Sequence, residues 1–498
     1  MTTAPPRAAD ADDSPSGTRP AVLTRALAAW ISTATNNLSG GRPCPAAEQA
    51  MVTWAHTTAL LRHAELRRLA PVALGPGGGE PPAGTDTRTW IRRALHDLAA
   101  AHPDLRPLAD PVINPMLTTD PTAADAAALL QLWRTGTGLS ADLIDGPHQC
   151  RGHRLGDLYQ ALSTQARSGR ALVQTPTFVT RLLLRCTLDK ARFETPVPTM
   201  IDPACGTGHI LVEALSATLS HQRHRDRLDA VAAALAAVHG VDLDGYAAAV
   251  ARYRLLAQAA AVLGGHTLAD IPDRLRVNIT QANALLDDHP LLEAGRYDVV
   301  LANPPYITCK DPTDRSAIRA AYPEVCHGKF SLAVPFAVLV HRLARPGGWV
   351  GQLTANSFMK REFGRPLVED YLPSVDLRWI IDTSGAYIPG HGTPTVILIS
   401  RNQPPSTPTI RVVRGNRGEP CVPADPARGH VWSAIREQVF AAEAREEFDI
   451  GYGRHLAAQA VTMLAGVAAT GTLPAPVTRP DLTRPQPYPA LGTPSLTA

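Results

Sequence analysis

Apolar residues recur at helical spacing along the first third of the chain, then give way to short β-branched runs, and this change of period divides the sequence. Across residues 46–69, Met51, Trp54, Leu60, Leu61 and Leu66 fall on helical spacing. A second helical stretch runs from Thr89 through Trp133, broken near Pro111 and Pro115, after the Pro/Gly linker at residues 74–79. Leu155-Gly156-Asp157-Leu158-Tyr159 opens another helix. Pro176 is placed as the first residue of the next helix, after a Thr175 cap and ahead of Phe178, Leu182, Leu183 and Leu184. Beyond it stand four runs too short for helices, at 199–201, 237–241, 277–280 and 297–302, with helical stretches at 209–219 and 245–263. Strands joined by helical crossovers give a parallel sheet, so the expected class is α/β behind an α-helical N-terminal region. A helix at 331–343, a strand at 349–353 and a helix at 360–372 continue the pattern. Strands at 379–381 and 395–399, joined by the Gly/Pro loop 384–394, read as an antiparallel hairpin at the sheet edge.

Composition narrows this. Residues 1–20 are expected to be disordered, 21–150 to form the helical region, and 436–498 a short helical stretch followed by a proline-rich disordered tail from about 470. A net charge of +3 requires any basic surface to be local. Lysine occurs only at Lys190, Lys310, Lys329 and Lys360. An N-terminal nuclease with a catalytic lysine two residues after an acid is therefore not expected. Seven cysteines without C-x-x-C pairs argue against a zinc site or a disulfide framework and fit a reducing cytoplasm, and no metal is expected. The N-terminus has no signal-peptide core, and no apolar run reaches membrane-spanning length.

The chemistry gathers at the ends of the short runs. The first leads into Asp202-Pro203-Ala204-Cys205-Gly206-Thr207-Gly208 and a helix, which is the nucleotide-binding corner of a Rossmann-like sheet. The second ends at Asp242, an acid placed to accept hydrogen bonds from ribose hydroxyls. The third ends at Gln281-Ala282-Asn283 and the fourth at Asn303-Pro304-Pro305-Tyr306. The turn lacks the G-x-G-x-x-G spacing and the lysine of a phosphate-binding loop. It suits a nucleoside cofactor without phosphate, and S-adenosylmethionine is such a ligand. At the fourth strand end, two prolines remove backbone donors and leave carbonyls free, Asn303 adds an amide oxygen and Tyr306 a flat face. Acceptors beside an aromatic plate suit a planar substrate that bears an amino group.

Asp202 to Gly208 resembles motif I of the amino-methyltransferases, and Asn303-Pro304-Pro305-Tyr306 resembles their catalytic motif IV. Gln174-Thr175-Pro176 is similar to the motif preceding motif I in the adenine-specific DNA methyltransferases of type I, type IIG and BREX (phage growth limitation) systems. His391-Gly392-Thr393-Pro394-Thr395 resembles their late loop, and among these families the PglX type is the nearest match. The resemblance implies an S-adenosylmethionine-dependent methyltransferase domain over 151–435, acting on the N6 amine of a flipped-out adenine in double-stranded DNA. It implies catalysis by Asn303 and Pro304 with Pro305 and Tyr306 completing the loop, Tyr306 stacking on the base. It places Thr175, Ala204 and Gly206 near the cofactor's methionine moiety, with Asp202 and Gly208 in the same turn, Asp242 on the ribose, Leu243 against the adenine and Asn283 at the exocyclic amine. In the family that last position is usually Asp, so an uncharged acceptor stands here.

Family members carry a large target-recognition domain after the last strand, and only about seventy residues follow His430 here. The expectation is therefore that either a specificity subunit or another defence-system protein reads the sequence or this chain is a truncated relative, and that the isolated chain binds cofactor but methylates DNA poorly or without specificity. Two other classes stay open, a protein-glutamine methyltransferase and a cofactor-binding remnant that occupies DNA or a partner.

Overall fold

The structure is a computed structural model that describes residues 22–136, 138–143, 152–164, 173–222, 226–264, 267–407, 409–414, 418–445 and 450–451. The expected disorder at 1–20 and in the tail from about 470 lies outside the described residues.

Four helices come first: α1 (Val22–Ser39), α2 (Pro45–Leu66), α3 (Thr87–Ala100) and α4 (Ala123–Thr135). Asp86 and Thr122 cap α3 and α4 by accepting the N–H of Arg88 and Asp125. Helix α2 is buried from Ala50 to Glu65 because neighbours surround it on every side. The Pro/Gly stretch after α2 is anchored rather than a free linker. The Glu65 carboxylate accepts the N–H groups of Ala73, Leu74 and Gly75 at 2.8, 2.7 and 3.0 Å and pairs with Arg62.

Next come α5 (His153–Leu162), α6 (Thr177–Cys186) and α7 (Leu188–Ala191), then the strands with their crossovers: β1 (Met200–Asp202), α8 (His209–His221), α9 (Arg227–Ala237), β2 (Val238–Asp242), α10 (Gly245–Leu263), β3 (Asn278–Gln281) and β4 (Tyr297–Ala302). These four strands are parallel, with β1 between β2 and β4. β1, β2 and β4 are buried on both faces, as parallel strands between helices must be, while β3 is the sheet edge. Met200, Val299 and Leu301 enter one apolar cluster, Ile201, Val300 and Ala302 the other. The first cluster is continuous through α10 into α2. Polar bonds fix that contact, for His56 and His63 of α2 meet the hydroxyls of Tyr246 and Tyr253 at 2.9 and 2.7 Å.

Helices α11 (Pro312–Ala321) and α12 (Ala333–Leu343) lead to β5 (Ala344–Ala355), which lies parallel to β4. Two expectations fail beyond it. The helix expected at 360–372 is instead a 3-10 turn at Glu362–Gly364 and a π-helical turn at Leu367–Tyr371. Pro366 cannot donate within a helix, and Gly364 packs so tightly on the Phe358 carbonyl that a Cβ there would lie 1.9 Å from it. The second concerns the hairpin. Strands β6 (Asp376–Asp382) and β7 (Thr395–Arg401) do pair antiparallel, but β7 lies between β5 and β6, inside the sheet. The unbroken apolar run Val396–Ile399, fully buried, has the character of a central strand. Outside β6 lie β8 (Thr409–Arg414), which was not expected, and β9 (Ile450–Gly451), giving the order β3-β2-β1-β4-β5-β7-β6-β8-β9. Helix α13 (His430–Arg445) packs on α6, with Trp432 edge-on to Phe178 at 4.8 Å and Arg185 over Phe440 at 3.8 Å. No helix among the described residues is long and apolar enough to cross a membrane.

Candidate active site

Strand β1 connects toward β2 on one side while β4 lies on the other, so the strand order reverses between them, and a crevice opens at their carboxyl ends. A cavity of about 310 Å³ occupies it, within the range of small-molecule sites. Thr175, Asp202, Ala204, Gly206, Asp242, Leu243, Asn283, Asn303 and Pro305 all line it. Gly208, Pro304 and Tyr306 do not.

The turn after β1 is held from several directions. Gly206 and Gly208 adopt φ of +54° and +86°, and a Cβ on Gly208 would approach that of Ala251 to 3.0 Å, so glycine there lets α8 lie against α10. The buried guanidinium of Arg254 donates to the Thr207 carbonyl at 2.6 Å. Nothing in the sequence singles out this arginine, because its part is set by the crossing of α10 over the turn. His209, beside it, is lowered to about 4 by burial and by the Arg254 charge. Asp202 is 2% exposed and accepts the Ala204 N–H at 3.0 Å. Burial, with a smaller contribution from the charge of Asp242, raises its carboxyl to about 8.

Asp242 accepts the N–H of Gly206 at 2.6 Å and that of Asp244 at 2.8 Å. Leu243 stands 55% exposed at the cavity wall, an apolar plate beside that acid. The Asn283 oxygen already accepts the Leu285 N–H at 3.1 Å, and its own N–H donates to Asp287.

Thr175 departs from its expected part as a cap. The position before α6 is taken by Pro176 with no side-chain cap, and the Thr175 hydroxyl turns the other way, to accept from Asn303 Nδ2 at 3.0 Å. That nitrogen also donates to the Val173 carbonyl at 2.9 Å and lies 3.5 Å from His391 Nε2. A carbonyl can only accept, so the amide nitrogen faces it and the oxygen faces away. Asn303 Oδ1 takes a hydrogen bond from the Tyr306 hydroxyl at 2.5 Å. Burial raises the Tyr306 phenol far above its usual value, so it stays a donor. The His391 ring lies 6.1 Å from that of Tyr306. Burial lowers His391 to about 4, which leaves it neutral near pH 7.

The segment after the Asn-Pro-Pro-Tyr loop closes one side of the cavity through Ile307, Cys309, Lys310, Asp311, Asp314 and Ile318. Its polar sequence carried no such signal. Among the described residues no group of His, Cys, Asp and Glu could hold a metal ion.

Residues 236–388 match the Eco57I restriction-modification methylase family. The adenine-specific methyltransferase PglX of Streptomyces coelicolor is 38% identical over 467 residues, covering 78% of this chain. The chain spans 38% of the length of that relative. Among solved structures, a modification subunit of a putative type I restriction enzyme from Vibrio vulnificus YJ016 superposes with a TM-score of 0.51 at 16% identity, covering 86% of this chain and 91% of its own. The type IIL restriction-modification enzyme MmeI, solved with DNA, gives 0.52 at 15% identity, covering 82% of this chain and 60% of its own. The sheet, the helices before it and the resemblance drawn from the motifs agree with these relatives.

Proposed function

We propose that this chain, a relative of the PglX-type adenine-specific methyltransferases with an Eco57I-type methylase segment, transfers a methyl group from S-adenosylmethionine to the N6 amine of adenine in double-stranded DNA. The observation that carries this reading is the Asn303 amide, fixed with its nitrogen toward Val173 and Thr175 and its oxygen presented to a donor at the edge of the cavity. The Tyr306 hydroxyl occupies the place where a substrate N–H would donate.

The residues present fit the cofactor. Asp242 offers lone pairs to a ribose diol, Leu243 an apolar face to a purine and Asn283 an uncharged acceptor to its amine. Asp202, Ala204, Gly206 and Gly208 shape the turn that holds it closely, and Gln174 brings to the cavity wall a buried Nε2 with no partner among the described residues. When bound, S-adenosylmethionine supplies a methyl group made electrophilic by its sulfonium.

The chain's residues prepare the amine. Asn303 Oδ1 and the Pro304 carbonyl each accept one N–H, which draws the nitrogen lone pair out of conjugation with the ring. Acceptors already in place stabilise the charge that develops on nitrogen, and removal of one such preorganised group typically costs roughly 3 to 4 kcal/mol. A stacked base cannot reach them, so the adenine leaves the duplex at a cost of about a few kcal/mol. Stacking on the Tyr306 ring offsets about 1 to 3 kcal/mol of that. A specificity subunit or another defence-system protein would supply recognition of the flanking sequence. The test is to incubate the protein with unmethylated duplex and S-adenosylmethionine and quantify N6-methyladenine. Methyl transfer to a peptide glutamine rather than to DNA adenine would reject the reading.

A further inference from the structure

The Asn303 amide is held from the same short segment that forms one wall of the cavity. Residues 173–175 lie outside helix and strand, and the Gln160 side chain accepts the Gln174 N–H at 2.7 Å. Two successive side chains there are buried, Gln174 at 6% and Thr175 at 3% exposed, and both line the cavity. Gln174 Nε2 has no hydrogen-bond partner among the described residues. A buried amide donor without a partner costs free energy unless a ligand accepts from it. The Thr175 oxygen already accepts from Asn303, and a hydroxyl that accepts keeps its own proton to give.

We infer that Thr175 is a positioning residue that ties occupancy of the cofactor cavity to the orientation of Asn303, accepting from the Asn303 amide while its hydroxyl proton, with Gln174 Nε2, serves an acceptor group on the cofactor. The inference rests on the reading of this cavity as the S-adenosylmethionine site. Two donors from successive residues lining one cavity match an anionic acceptor, which in that ligand is the carboxylate of the methionine part. Donation by the hydroxyl to an anion polarises its oxygen and strengthens the bond it accepts from Asn303. Cofactor in the cavity then tightens the hold that Val173 and Thr175 already have on the amide, with its oxygen toward the target amine.

The test uses the whole chain, with S-adenosylhomocysteine and S-adenosylmethionine as probes. In protein labelled with ¹⁵N at asparagine side chains, the Asn303 Nδ2 signals are assigned by their loss in Asn303→Ala. Addition of S-adenosylhomocysteine should shift them in the wild type, whereas in Thr175→Val they should start displaced and no longer respond. Thr175→Ser, which keeps the hydroxyl, should restore the response. With duplex DNA and saturating S-adenosylmethionine, the single-turnover rate of Thr175→Val should fall on the order of 100-fold, as misplacement of a reacting group does, and that of Thr175→Ser should stay near wild type.

A Thr175→Val variant with weaker cofactor affinity but an unchanged saturated rate and unchanged Asn303 signals would make Thr175 a cofactor ligand only and overturn the inference. An unresponsive Asn303 signal in the wild type, at saturating S-adenosylhomocysteine, would overturn it without any variant. If the wild type transfers no methyl group to DNA, the proposed substrate fails, while the Asn303 signals still decide the coupling.

Discussion

Asp202 gives a quantity that can be worked through. It ends β1 with 2% exposure, and burial raises its carboxyl from 3.8 to about 8. A folded-state value above the unfolded one means that the folded protein binds more protons between these limits, so this group's contribution to stability falls as pH rises from about 4 to about 8. Each pH unit inside the window costs about 1.4 kcal/mol, and at pH 7 the suppressed ionisation amounts to roughly 4 kcal/mol. Asp202→Asn keeps the shape and the acceptor for the Ala204 N–H but has no charge to suppress. The variant should therefore gain on the wild type as pH rises. The advantage should grow by about 1.4 kcal/mol per pH unit from pH 5 to pH 7, whatever fixed cost the new amide N–H groups carry. Urea unfolding of both proteins without cofactor, at pH 5, 6, 7 and 8, gives the difference directly. A difference independent of pH would show that Asp202 is ionised in the folded protein and refute the reasoning.

Three further outcomes follow from the structure. Tyr306→Phe keeps the ring and frees Asn303 Oδ1, so methylation should stay near wild type, whereas Tyr306→Ala should lose about 1 to 3 kcal/mol, or roughly 5- to 150-fold in kcat/KM. Equal losses in the two variants would place the function in the hydroxyl. Asp242→Ala should raise the cofactor Kd by at least about tenfold in calorimetry, because hydrogen bonds to a charged group contribute roughly 1.5 to 3 kcal/mol each, and an unchanged Kd would remove Asp242 from the ribose site. Burial lowers His56, His209, His341 and His391 to about 4 in the folded state, below their value of 6.5. The unfolded chain therefore binds more protons between pH 6.5 and 4, and stability should drop as pH falls through that window, by about 1.4 kcal/mol per pH unit for each histidine and against the opposite trend of Asp202 alone. Unfolding midpoints that stay level from pH 6.5 to 5 would contradict it.

The strand ends of the site were legible because each obeys a local rule. The apolar run Tyr297–Ala302 stopped by two prolines, the glycine turn after Met200–Asp202 and the acid at the end of Val238–Asp242 are each set within a few residues of chain. What was not legible depends on distant partners. Thr175 looks like a helix cap beside Pro176, yet Asn303, remote in sequence, claims its hydroxyl. Arg254 gains its place from the crossing of α10 over the turn, and the segment around Lys310 from its position over the cavity. The run 360–372 has helical composition, but Pro366 and the close packing at Gly364 break it, and the place of β7 within the sheet is a matter of topology that no local pattern encodes.

The most direct measurement is the amount of N6-methyladenine in unmethylated duplex DNA after incubation with the protein and S-adenosylmethionine, by nucleoside mass spectrometry, for the wild type and Asn303→Ala side by side. Methyladenine should form with the wild type and fall on the order of 100-fold or more in Asn303→Ala, with cofactor binding retained in both. Equal methylation by the two proteins would contradict the assignment of Asn303 as the acceptor that prepares the target amine.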